Sequence, residues 1–341
     1  LTAEGDIAAQ MVAGVDKFLL RKIDESVEHR AQFWQRDFTR PEAYRESVEP
    51  NRQRLAKVLG IPQVVGRVTS LNWRQPETRI VLSENLAGCR VSYVEIPMRT
   101  EAITHVQALF ISSSSSDTNN RVVFIPRDGQ TLHSFLQSGL EIPFVLARQG
   151  CYVVVPLVLT RHDKERGERL RLTHREFVYR SSFELGRHPI GYDVQKALTC
   201  GAWLMLEVGC RSPHVSYYGI GDGGQIAMYA GALEERLGRV CVSEYFEDRN
   251  RIWQEPIDRN LFGFLKEFGD AEVASLIAPN KFIVHAEDGL TYRIASKALN
   301  YRRPEEPKLR RQEFERLRQL VDDGDWKPDI HFFENSDEAL A

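Results

Sequence analysis

Charged clusters alternate with apolar positions at helical spacing from Ile7 to Gly60, as in "AAQMVAGVDKFLLRKIDESVEHRAQFW" and "NRQRLAKVLG". That period predicts a helical N-terminal segment over residues 1–60, broken by turns around Arg40-Pro41 and Pro50-Asn51. Three runs of strand-like alternation follow, "RIVLSE", "RVSYVEIP" and "HVQALFIS", and predict the antiparallel beginning of a sheet. "SSSSSDTNN", Ser112 to Asn120, has the composition of a solvated connection. Beyond it the pattern changes to short, nearly continuous apolar runs separated by helical stretches: "RVVFIP", a helix to Arg148, "CYVVVPLVL", "DVQKALTCGAWLMLEVG", "VSYYG", a helix from Gln225, "RVCVSEYF", "KFIVHA", a basic helix from Pro307 to Asp322 and "DIHFFE". Strands covered on both faces read as continuous apolar runs. The prediction for 61–341 is therefore an α/β domain with a mostly parallel central sheet and helices on both faces.

Composition narrows the function classes. With 341 residues, 42% hydrophobic and 27% charged, the chain can bury a large core. A net charge of −3 gives no electrostatic basis for nucleic-acid binding or for attraction to an anionic membrane. No window approaches the ~20 apolar residues of a spanning helix, so membrane insertion is not expected. The five cysteines, Cys89, Cys151, Cys200, Cys210 and Cys241, form no C-x-x-C pair and read as small buried hydrophobes. Histidines are scattered, with no H-x-x-x-H or H-E-x-x-H, and "HDKERGE" at His162 reads as a solvated loop, so neither a metal nor another cofactor is expected. "RRPEEPKLRRQEFERLRQLVDD" interleaves glutamates with arginines over apolar positions at helical spacing and reads as a surface helix.

Two features of the ends bear on organisation. The chain starts at Leu1, and a removed signal peptide is one reading of that start. "SDEALA" reads as a helix beginning, so the α/β domain is expected to continue past Ala341, with further domains of a longer chain an open expectation.

The stretch with most chemical content is "VSYYGIGDGGQIAMYAGALEERL", Val215 to Leu237, which predicts a strand, a sharp glycine turn and a helix. One reading is a phosphate cradle at a helix N-terminus. G-x-G-x-G-G is not the G-x-G-x-x-G fingerprint, however, and Asp222 would repel an anion. The other is a turn of the form small-x-nucleophile-x-small, which strains its central residue and exposes that side chain. The spaced glycines Gly219 and Gly223 then make Gly221 central, and the serine is absent. A register shifted by one makes Asp222 central but puts Ile220 where a small residue is needed. A tight turn without chemistry is the remaining alternative.

"GIGDGGQIAMYAGALEERL", followed by "VCVSEYF" and "WQEPIDRNLFGFLKEFGDAEVASLIAPNKFIV", resembles the branch of the α/β-hydrolase superfamily that contains acetyl xylan esterases and dienelactone-hydrolase-like proteins. There the turn usually reads G-x-S-x-G-G, and "GRHPIGYDVQKAL" resembles the branch's approach to the preceding helix. The resemblance covers about residues 120 to 290, and the N-terminal helices more loosely. It implies an α/β-hydrolase fold in which nucleophile, acid and histidine follow in that chain order. By resemblance the acid falls after "KFIVHA", on Asp288 or Glu287, which are equally readable as a solvated turn. The histidine is expected after "DIHFFE", where none occurs. His285 and His331 read as sheet residues, whereas His188 lies in a loop in the wrong order for a base. The oxyanion donors implied are the N–H of Asp222 and one near Arg127, Asp128 and Gly129. Trp253, with Phe262 and Phe264, lies where the fold often builds a lid; aromatic anchors there can bind partners or sugars, and equally read as a cover for the core.

With serine and histidine both absent from their places, the expectation is a degenerate elbow and a pseudoenzyme that binds a small ester or carbohydrate ligand, scaffolds or regulates. The alternative is an active hydrolase of esterified carbohydrate or another small ester that uses Asp222 or residues outside this chain. Resemblance to an often exported branch tilts the expected location outward, with the cytoplasm as the alternative.

Overall fold

The computed structural model describes residues 6–61, 78–98, 105–114, 120–127, 130, 141–159, 172–208, 214–234, 236–286, 307–322 and 326–334. Three helices come first: α1 (Ile7–Ala31), α2 (Pro41–Ser47) and α3 (Glu49–Val58). The break before Pro41 falls where the sequence placed it. The second falls at Val48, because Pro50 occupies the first turn of α3, where its missing N–H leaves no helical bond unmade.

The strands are β1 (Arg79–Leu86), β2 (Cys89–Pro97), β3 (His105–Ser113), β4 (Arg121–Ile125), β5 (Tyr152–Pro156), β6 (Val215–Ile220), β7 (Leu237–Ser243), β8 (Lys281–His285) and β9 (Ile330–Phe333). They form one sheet in the order β1-β2-β3-β5-β4-β6-β7-β8-β9. The pairs from β1 to β5 are antiparallel and those from β5 through β9 are parallel, so the sheet is mostly parallel with an antiparallel start, as the apolar runs predicted. The order reverses at β5-β4-β6, and it is beyond the carboxyl ends of the central strands at such a reversal that open α/β sheets place the crevice holding their sites.

Alternation along the strands divides the core. Val123 and Ile125 of β4 face a large cluster with Tyr217, Val240 and Phe282, whereas Val122 and Phe124 face a smaller one closed by Phe144 and Ala147. Those last two belong to α4 (Ile142–Arg148). The larger face is covered by α6 (Pro189–Glu207), α7 (Asp222–Leu233) and α8 (Asp270–Ser275), after α5 (His174–Glu184), and by the basic helix α9 (Pro307–Val321). Tyr44, Val48, Leu55 and Leu59 join the same cluster, which builds the N-terminal helices into the core. Arg52 ties α3 to two carbonyls, Ala232 O at 2.8 Å and Leu276 O at 3.0 Å. Gly191 of α6 lies against α3 so closely that a Cβ there would sit 1.9 Å from Leu59 O. Among the described residues no helix is long and apolar enough to cross a membrane.

Candidate functional site

β6 ends at Ile220, Gly221 adopts φ 57° and ψ −123°, and α7 starts at Asp222, three residues before the helix start read from the sequence. The earlier start has a steric reason: Gly223 and Gly224 form the first helical turn, and each is a place of close approach. A Cβ on Gly219 would lie 2.0 Å from Gly223 O, one on Gly223 2.3 Å from Ile125 O, and one on Gly224 2.7 Å from Tyr245 Cβ. Only glycine fits these contacts. The Gly221 N–H donates to Ser243 O at 2.9 Å, pinning the turn to the neighbouring strand. Gly221 therefore occupies the apex of the turn, with a small residue two positions to either side.

Asp222 is buried beneath a layer of paired charge. Its Oδ1 lies 2.8 Å from Arg259 Nε and its Oδ2 3.8 Å from Arg175 Nη2. Arg175 Nη1 also donates to both Asp258 oxygens, at 3.0 and 3.1 Å. Glu255 Oε2 accepts from Arg259 Nη1 at 2.9 Å and from Arg249 Nη1 at 3.0 Å. Arg249 reaches on toward Asp270, 3.9 Å away, whose carboxylate accepts from Tyr245 Oη at 2.9 Å and the Glu247 N–H at 3.2 Å. Burial works against the charge on Arg249, but Glu255 and its neighbours carry its pKa well above the usual arginine value. At Asp270 burial wins over Arg249 and the donated hydrogen bonds, pushing the carboxyl up to about 7. A buried guanidinium left unpaired is strongly destabilising, so the ion pairs of this layer are what make its burial tolerable.

The neighbouring strand ends complete the site. After β4, the Arg127 N–H donates to Gln130 Oε1 at 3.0 Å, and its half-exposed guanidinium pairs with Glu244. This N–H is the one beside which an oxyanion donor was expected, and here it points at a side chain of its own loop. Glu244 follows β7 with φ 56°, an unusual value for a residue other than glycine, and its N–H donates to His285 O at 3.1 Å. Ser243 Oγ and His285 Nδ1 are 3.0 Å apart, both buried. The sequence located His285 in β8, and the structure puts it at that strand's carboxyl end, on the crevice side.

The other expected residues separate from this group. His188 is the N-cap of α6: its Nδ1 accepts from the Ile190 N–H at 3.1 Å, with its ring against Tyr179. Trp253 is 55% exposed and Phe262 85%, while Phe264 is buried against Tyr229 and Phe268, so the aromatic lid divides into surface and core. His331 is half-buried in β9 and paired with Asp329. Asp128, Gly129, Glu287 and Asp288 lie outside the described residues. Arg175, Arg249, Glu255, Asp258 and Arg259 were not foreseen. The signal for all but Arg175 was the dense mixture of acids and arginines in "EDRNRIWQEPIDRN". Among the described residues no cluster of histidine, cysteine or carboxylate side chains could hold a metal ion.

No protein-family model matches this chain, and no curated protein sequence does. Solved structures do. A Bacteroides fragilis protein assigned as an acetyl xylan esterase superposes with a TM-score of 0.64 at 14% identity, over 90% of this chain and 78% of its own. A glucuronoyl esterase from Solibacter usitatus gives 0.53 at 10% identity, over 87% and 89%. A methylesterase gives 0.53 at 13% identity, over 85% of this chain and 59% of its own. The strand order, the strand-turn-helix at Gly221 and these likenesses together identify the α/β-hydrolase fold in this chain.

Proposed function

We propose that this chain is a ligand-binding, scaffolding or regulatory protein built on an α/β-hydrolase framework and devoid of ordinary serine-esterase chemistry. One observation carries the reading: the apex of the turn is Gly221, which has no reacting atom, and the adjacent Asp222 is held by Arg259 at 2.8 Å. An acyl-transfer site needs a nucleophile and a base to take its proton. Arg127, paired with Glu244, stands beside the crevice as a polar contact for a bound molecule. The carbohydrate esterases among the structural neighbours make a small ester or a carbohydrate the ligand class to try first.

A second reading, hydrolysis, is favoured by the Ser243–His285 contact one strand away from the turn. In it Ser243 Oγ adds to an ester carbonyl as His285 takes its proton. The alcohol leaves with that proton, and water then cleaves the acyl-serine. Burial of both side chains ranks it second.

Hydrolysis of a short-chain aryl ester by the parent and by Gly221→Ser, Asp222→Asn and Ser243→Ala separates the readings. The expected result is a parent no faster than protein-free buffer. Parent activity lost in Asp222→Asn overturns the proposal in favour of aspartate chemistry, and activity lost in Ser243→Ala does so in favour of the second reading. Activity only in Gly221→Ser supports the proposal and shows the rest of the site to be intact.

A further inference from the structure

We infer that α1 is the self-association surface of this protein, pairing antiparallel with α1 of a second copy. The last turns of α1 are fixed to the body. Arg30, fully buried, bonds to Asn250 Oδ1 at 2.8 Å and to Glu272 Oε2 at 3.4 Å. Toward the N-terminus every residue from 6 to 22 is exposed. Residues 7–22 make a helix about 24 Å long, at 1.5 Å per residue, whose Leu19 and Lys22 border a groove against Leu265 and Lys266.

The overhang is not polar. Ile7, Met11, Val12, Val15, Phe18 and Leu19 recur at helical spacing and gather on one side of the helix, and each is between 49% and 68% exposed. The stripe continues along the helix into the face carrying Ile23, Ser26 and Arg30, which rests on the body. A helix of this length is marginal alone in water, and its apolar stripe gains nothing from solvent. Another surface is needed to hold it.

A second copy meets the requirements of area and pattern. Six side chains exposing roughly 100 Å² each offer about 600 Å² per copy, near the ~800 Å² per partner of a standard interface, with flanking polar groups supplying the remainder. A two-fold antiparallel register centred on Ala13 sets Met11 against the partner's Val15, Ile7 against the partner's Leu19 and Ala8 against the partner's Phe18. One stripe thus serves as its own complement. A groove of about 880 Å³ between α1 and Leu265 and Lys266 opens beside Leu19, where this register delivers the partner's Ile7. Antiparallel pairing also sends the two bodies to opposite ends, whereas parallel pairing would bring them side by side. The charge on the overhang, Asp6 and Asp16 against Lys17, Arg21 and Lys22, is nearly balanced, which favours a protein surface over an anionic lipid surface.

Sedimentation equilibrium on the full chain at micromolar concentration tests this. The expected result is a species of twice the 39.1 kDa chain mass for the parent, and a monomer with an unchanged thermal midpoint for Val15→Asp and for Phe18→Asp. Mixing a Met11→Cys chain with a Val15→Cys chain under mild oxidant should cross-link the two with higher yield than either alone. A monomeric parent, a dimer that survives both charge variants, or a monomer that floats with phosphatidylcholine–phosphatidylserine vesicles would each overturn the inference.

Discussion

The turn at Gly221 and the ionic layer above it lie in contact, yet they bear opposite relations to the fold they share. In the turn, backbone geometry is kept to the limit of steric tolerance: Gly219 and Gly223 have carbonyl oxygens 2.0 and 2.3 Å from where a Cβ would stand. Its apex, Gly221, carries no side chain. In the layer above, side chains do the organising, with Arg175, Arg249 and Arg259 shared among Asp222, Glu255, Asp258 and Asp270. A strained turn persists when its surroundings determine it, and here the surroundings include the ion pairs that Arg259 and Arg175 make with Asp222. Backbone close approach organises the one region and paired side-chain charge the other.

The comparison can be broken most directly at Arg259. Changing Arg259→Met leaves Asp222 and Glu255 buried with one cation fewer, and denaturant unfolding should show a loss of about 3–5 kcal/mol. A loss below about 1 kcal/mol would mean that the layer does not hold the cover in place.

Asp270 gives the next largest effect, as a pH dependence. Its carboxyl is pushed up to about 7 in the fold, whereas the unfolded chain ionises near 3.8. Between those values the folded state binds more protons, so this contribution is full below about pH 4 and is lost as pH rises through about 7. The slope approaches ~1.4 kcal/mol per pH unit, and Asp270→Asn should flatten it in unfolding curves taken across that window.

Gly223→Ala should cost about 1–3 kcal/mol by overpacking, because its Cβ meets the fixed carbonyls of Ile125 and Pro126. Gly221→Ser should cost about 1–2 kcal/mol from φ alone. A larger loss for Gly221→Ser than for Gly223→Ala would reverse the view that close approach, rather than φ, dominates this turn. The smallest effect is at Gly14, where a Cβ meets nothing within 4 Å: Gly14→Ala should raise helicity and stabilise α1 by up to about 1 kcal/mol, read by circular dichroism.

The fold was largely legible in advance. "RVVFIP", "VSYYG", "RVCVSEYF" and "KFIVHA" read as covered parallel strands, and they lie side by side at the centre of the sheet. The apex of the turn was legible too, since the spacing of Gly219 and Gly223 singles out Gly221. The charged partners of Asp222 were not. Arg175 lies 47 residues before it and Arg259 37 residues after it, and no local period connects them. His285 was placed in its strand but not at the strand's end, and Ser243 was not linked to it, because their contact spans two parallel strands.

The sequence by itself determined the alternation of strands and helices, the place of the sharp turn and the absence of a serine at its apex. All three follow from local rules, namely side-chain periodicity and the steric demands of glycine. Tertiary structure alone decided which charges would meet over Asp222, that His285 would face Ser243, and that residues 6–22 would be exposed. Those outcomes depend on which distant segments the sheet order brings to one edge, and pairing of buried charge is enforced only once water has been removed.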